Sequence, residues 1–106
     1  MYKFFVFAPR DKELIRKIID AASSAGAGKI GKYSACAFIT EGMGTWKPEE
    51  GANTHIGIVG KVEEAEEVKI EMECPKEKIE AVVKAVKAVH PYEEVVIDVI
   101  ELKRFK

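Results

Sequence analysis

In residues 2–8, Tyr-Lys-Phe-Phe-Val-Phe-Ala, Phe4 and Val6 point to one side of an extended chain and Phe5 and Phe7 to the other. A strand apolar on both sides needs a covering layer on each, and this requirement restricts the possible folds more than any other feature of the sequence. Two stretches carry helical apolar spacing. Leu14, Ile15, Ile18, Ile19 and Ala22 follow Asp11, a residue suited to cap a helix, and Gly26 and Gly28 stop them. Ile79, Val82, Val83, Val86 and Val89 follow Pro75, which suits a first helical residue, and Pro91 closes them. On this second helix Lys76, Lys78, Glu80, Lys84 and Lys87 face water.

Three further strands complete the pattern. Residues 33–40 run through Ala35, Cys36, Ala37, Phe38 and Ile39. Val68, Ile70, Met72 and Cys74 alternate with Lys69, Glu71 and Glu73, the period of a strand with one wet face. Residues 95–102 form the last strand. There Val95, Ile97 and Val99 oppose Val96, Ile100 and Leu102, and Asp98 is the charge among them. Between the second and third strands, residues 41–60 read as a long structured loop holding five of the eight glycines, with a short extra strand at 56–62.

The order β-α-β-β-α-β with right-handed crossovers predicts an α+β, ferredoxin-like sandwich. It is an antiparallel sheet with both helices on one face, in one domain over residues 1–106. Two helices cover one face only. The first and last strands, taken as central and apolar on both sides, therefore call for a second cover, and another copy of the chain is the simplest source. A homo-oligomer is expected.

Composition narrows the partners. Seventeen Lys and Arg against eighteen Asp and Glu give a net charge of −1, without the basic excess of a nucleic-acid or membrane-surface binder. No apolar run reaches the ~20 residues of a membrane span, and the start lacks a signal-peptide pattern. The expectation is a soluble, cytoplasmic protein without nucleic-acid or membrane partners. The chain has no Gln and one Asn, a depletion of thermolabile amides that points to a thermophile. Cys36 and Cys74 read as buried small hydrophobes, with a cross-strand disulfide as the sharper alternative.

Gly26-Ala27-Gly28-Lys29-Ile30-Gly31 spells the dinucleotide fingerprint, but it follows a helix and opens a strand, the reverse of what phosphate binding needs. It reads as a helix stop and turn. The run Glu63-Glu64-Ala65-Glu66-Glu67 reads as solvated surface, and Trp46 beside Lys47 and Pro48 as a packed loop anchor or part of a ligand site.

His90-Pro91-Tyr92-Glu93-Glu94 places an imidazole, a phenol and two carboxylates at a helix-to-strand junction. Strand direction puts this turn and the 41–60 loop, which holds His55, at the same end of the sheet. Two readings follow. His90 and His55 can converge, within a subunit or across an interface, as metal ligands with Glu93 or Glu94 as a third, a set suited to zinc or copper. Alternatively His90 caps its helix and Tyr92 packs in an interface. A hydrolase with His90 as general base and Glu94 orienting it is a weaker third reading, since no nucleophile motif accompanies it.

Four ordered segments carry a family resemblance: residues 26–38 from Gly26 to Phe38, Gly42-Met43-Gly44-Thr45-Trp46-Lys47-Pro48, Gly51-Ala52-Asn53 with Ile56-Gly57, and His90-Pro91-Tyr92-Glu93-Glu94. Together they resemble the domain inserted in YqfO-type proteins of the Nif-three-like family, the GTP cyclohydrolase I type II homologues. The resemblance covers nearly the whole chain, which reads as a stand-alone version of that domain. It implies a fold similar to the PII signalling proteins and the CutA divalent-cation-tolerance proteins, which are trimeric, and CutA proteins carry a similar His-Pro-Tyr turn. By analogy with PII, the 41–60 loop and the turn from His90 to Glu94 would build ligand sites between subunits. The family's dinuclear metal centre lies in the domains flanking the insert and does not transfer to these residues.

The resulting expectation is an oligomeric PII/CutA-like module, a trimer by resemblance, in a regulatory role. It would bind a divalent metal ion at His90 and His55 or a small ligand at Trp46, Tyr92, Glu93 and Glu94, and report to a protein partner. The alternative is an interaction or assembly module without a ligand.

Overall fold

A computed structural model describes residues 1–105. The chain runs β1 (Tyr2–Pro9), α1 (Lys12–Ser24), β2 (Phe38–Trp46), β3 (Glu63–Cys74), a 3-10 turn (Lys76–Lys78), α2 (Ile79–Val89) and β4 (Ile97–Glu101). The strands form one antiparallel sheet in the order β2-β3-β1-β4. This is the ferredoxin-like α+β fold that the element order predicts. Among the described residues no helix is long and apolar enough to cross a membrane.

One face of the sheet holds the core. Phe4, Val6 and Ala8 of β1 stand opposite Met72, Ile70 and Val68 of β3, and all six are buried. Helix α1 adds Ile18 and Ala22, and α2 adds Val82 and Val86. Burying side chains of this size contributes about 1.5–3 kcal/mol each, so the two helical stripes are held by this layer rather than by helix propensity. Asp11 caps α1 by accepting the Leu14 N–H at 3.1 Å, the role its position predicts.

Several expectations need correction. The second strand is Phe38–Trp46, not 33–40, because residues 26–36 form a loop tied to β3. Gly28 donates its N–H to the Glu73 carbonyl (2.7 Å) and accepts the Cys36 N–H (2.8 Å). Its φ of +78° and the closeness of the Cys36 backbone, 3.1 Å from where a Cβ would stand, reserve the position for glycine. The third strand begins at Glu63, so the acidic run lies in a strand, with Glu64 and Glu66 exposed as expected, and no strand forms at 56–62. β4 is an edge strand, not a central one, and β3 takes the second central place. Cys36 precedes β2 and Cys74 pairs with Tyr2; both are free thiols and do not form a disulfide.

The opposite face is open. Phe38 (67% exposed), Phe7 (40%) and Ile100 (46%) lie on it, with Lys69 between them holding its ammonium 4.3 Å from the Phe5 ring centroid. The two ends of the sheet's inner and outer strands also meet: Leu102 donates its N–H to the Met1 carbonyl at 3.0 Å.

Candidate functional site

At the end of the sheet where β1 and β2 finish and β3 starts, two segments fold over the open face. One is the 47–62 loop and the other is the turn between α2 and β4. The loop is anchored by Trp46, whose indole N–H donates to the Ile56 carbonyl at 3.0 Å, and by the Thr54 hydroxyl, which donates to the same carbonyl at 2.6 Å. It is joined to the turn by the Asn53 N–H, donated to Glu93 Oε1 at 3.0 Å. Between them lies a groove of about 410 Å3.

Five residues singled out from the sequence line this groove together: Trp46, His55, Tyr92, Glu93 and Glu94. His90 does not line it. The His90 ring lies behind Tyr92, with centroids 4.7 Å apart, while the His55 ring is 6.3 Å from Tyr92 on the groove side. The two histidines thus share an end of the sheet, each beside the Tyr92 ring.

His90 is 8% exposed and fully engaged. Its Nε2–H donates to the Phe7 carbonyl at 2.7 Å, across 83 residues of sequence, and its Nδ1 accepts the Tyr92 N–H at 3.1 Å. That pattern fixes the neutral Nε2–H tautomer and leaves neither ring nitrogen a free lone pair for a metal ion. Burial holds the imidazole below its ordinary pKa, with His55 adding to the effect, against the opposing pull of the Phe7 carbonyl and the Glu67 charge. Among the described residues no group of three His, Cys, Asp or Glu side chains is placed to hold a metal. Within one chain, His90, His55 and a carboxylate therefore do not converge on one ion among the described residues.

The Tyr92 phenol donates to Glu67, and its pKa is pushed up by burial first and by that carboxylate second. It is held as a neutral donor, not a phenolate. Gly44 makes this contact possible, because a Cβ there would occupy the space taken by the Glu67 carboxylate. Glu67 and Phe7 are groove residues that the sequence reading missed. The alternation of Glu63, Ala65 and Glu67 in step with Lys69 and Glu71 was the available signal, since it extends β3 backwards and turns Glu67 onto the open face.

Residues 54–106 match the family described as CutA1 divalent ion tolerance protein. The GTP cyclohydrolase 1 type 2 homolog of Bacillus subtilis is 44% identical over 97 residues, covering 92% of this chain and 26% of that protein. Its Mycobacterium tuberculosis counterpart is 38% identical over 101 residues, again 26% of its length. The chain thus spans about a quarter of the length of the curated relatives it matches. Among solved structures, a Bacillus cereus protein related to NIF3 superposes with a TM-score of 0.82 at 41% identity, over 97% of this chain and 26% of that one. The periplasmic divalent cation tolerance protein CutA from Archaeoglobus fulgidus superposes with a TM-score of 0.71 at 25% identity, over 100% and 88% of the two chains. In sequence and in fold alike, the chain belongs to the CutA1 divalent ion tolerance family, in the form it shares with the GTP cyclohydrolase 1 type 2 homologues.

Proposed function

We propose that the chain is a homo-oligomeric CutA/PII-like module that binds a small organic ligand in the groove and reports its occupancy to a protein partner. One observation carries the reading: aromatic and carboxylate side chains from the 47–62 loop and the His90–Glu94 turn meet around a cavity of ligand size. The engaged nitrogens of His90 favour a small molecule over zinc or copper as the occupant. The exposed Phe38 and Ile100 support assembly through the open sheet face, as a trimer by analogy with the family.

Native mass spectrometry of protein purified without chelator, with and without added zinc and copper, tests this directly. The expected result is an oligomer, retaining an organic ligand or taking one up, with no stoichiometric metal. A stoichiometric metal lost on His55→Ala would replace the small-molecule reading with the metal one.

A second reading has its own support. Ile56, Ile58, Val59 and Val62 are exposed along the loop beside the groove, which suits a surface that packs against another protein. An oligomer that takes up no small molecule, and that loses assembly when these residues are made polar, favours this interaction module.

A further inference from the structure

The groove is charged on one side only. Glu67, Glu93 and Glu94 line it, and among the described residues no lysine or arginine does. None of the three carboxylates is in an ion pair among the described residues; the described pairs join Arg10 to Glu41 and Glu66, and Arg104 to Glu73. Glu67 accepts the Tyr92 phenol and Glu93 the Asn53 N–H, neutral donors that leave the negative charge at the groove without a counter-ion among the described residues.

The rest of the lining is mainly aromatic and apolar, with two threonines. Trp46, Tyr92, Phe7 and the His55 imidazole contribute rings, and Ala52, Pro48 and Val96 contribute apolar surface. The indole N–H of Trp46 and the phenol O–H of Tyr92 are both spent on internal acceptors, Ile56 and Glu67. Neither polar hydrogen is free for an occupant, so what these two side chains offer it is aromatic carbon. A ring face is the electron-rich part of an aromatic side chain and attracts positive charge, as an unpaired carboxylate does. A phosphate or carboxylate ligand would meet like charge from three glutamates and find, among the described residues, neither a guanidinium nor an ammonium group, only the His55 imidazole against them.

We infer that the groove selects an organic cation with a flat or apolar body, such as an aromatic amine or a quaternary ammonium compound, and rejects phosphorylated ligands. The inference rests on the reading of the groove as a ligand site and adds the charge class of the ligand. It also separates this chain's own groove from any chemistry of GTP that the names of its longer relatives suggest.

Trp46 is the only tryptophan, so its fluorescence reports from inside the groove. The test titrates the full chain with three probes that share a benzyl body: benzyltrimethylammonium, benzyl alcohol and benzyl phosphate. The ammonium probe is expected to bind about tenfold tighter than the alcohol, and the phosphate more weakly than either. Glu94 is exposed and makes no side-chain hydrogen bond among the described residues, so Glu94→Gln leaves the fold intact. That variant should weaken the ammonium probe about threefold to tenfold and leave the alcohol unchanged. Raising salt should likewise weaken only the charged probe. If the alcohol or the phosphate binds as tightly as the ammonium probe, the charge assignment is overturned while the ligand site stands. If no probe perturbs Trp46 up to ~10 mM, a range that captures even millimolar affinities, both the assignment and the ligand-site reading fail.

Discussion

His90 is the residue on which the groove's geometry turns, and its role is to be neutral. Its two bonds tie the end of α2 to the last turn of β1 and orient the backbone of Tyr92 in one step. Protonation would put a hydrogen on Nδ1, directed at the Tyr92 N–H that this nitrogen now accepts, so the folded state resists it. The pKa of the folded state lies below the ordinary value of 6.5 that the unfolded chain shows. Stability from this residue is therefore complete above about pH 6.5, declines as the unfolded chain alone takes up the proton, and levels off below the folded pKa. An NMR titration of the ring is expected to show the Nε2–H tautomer and a midpoint below 6.5, and a midpoint above it would contradict the arrangement. Glu67 and His55 are the charged and titratable groups acting on the ring, so Glu67→Gln should lower that midpoint further.

At the scale of elements, β1, both helices and the last strand were legible because each carries an uninterrupted period, two or three-to-four, bounded by Asp11, Gly26, Pro75 or Pro91. β2 was not. Residues 33–37 are as apolar as a strand, but the Cys36 N–H is committed to Gly28, and the real strand runs on through Gly42 and Gly44, which weaken a strand's local signal. Its register is set by pairing with β3, a long-range fact that local sequence does not contain. The site followed the same division. Residues dense in chemistry, from His90 to Glu94, with Trp46 and His55, stood out, whereas Glu67 was hidden among four glutamates and Phe7 among strand hydrophobes. The glycine loop gives the element-scale prediction. Gly28→Ala forces a side chain into positive φ and against the Cys36 backbone, so chemical denaturation should find it less stable by about 1–3 kcal/mol. An unchanged midpoint would show that this loop is not fastened to β3 as described.

For the whole molecule, the sequence made the first and last strands central and inferred an uncovered face from them. The sheet order moves β4 to the edge, but the open face remains, with Phe38 on β2, Phe7 on β1 and Ile100 on β4 spread across its width. Lys69 and Glu71 sit among them, so the face is patterned rather than uniformly apolar, which suits a specific partner better than indiscriminate sticking. If the proposed assembly uses this face, Phe38→Asp converts it to monomer in sedimentation experiments while leaving the far-UV circular dichroism spectrum intact, because Phe38 is not part of the core cluster. A variant that sediments as the wild type does would move the interface elsewhere. The hydrogen bond between Met1 and Leu102 has a different kind of consequence. Because β1 and β4 are antiparallel neighbours, the points where the chain enters and leaves the sheet coincide within one hydrogen bond. Spliced between two adjacent residues of a larger protein, such a unit would hold them about as close as they were before. The host would pay almost no loop-closure entropy, and in topological terms it would have gained a pendant rather than a spacer.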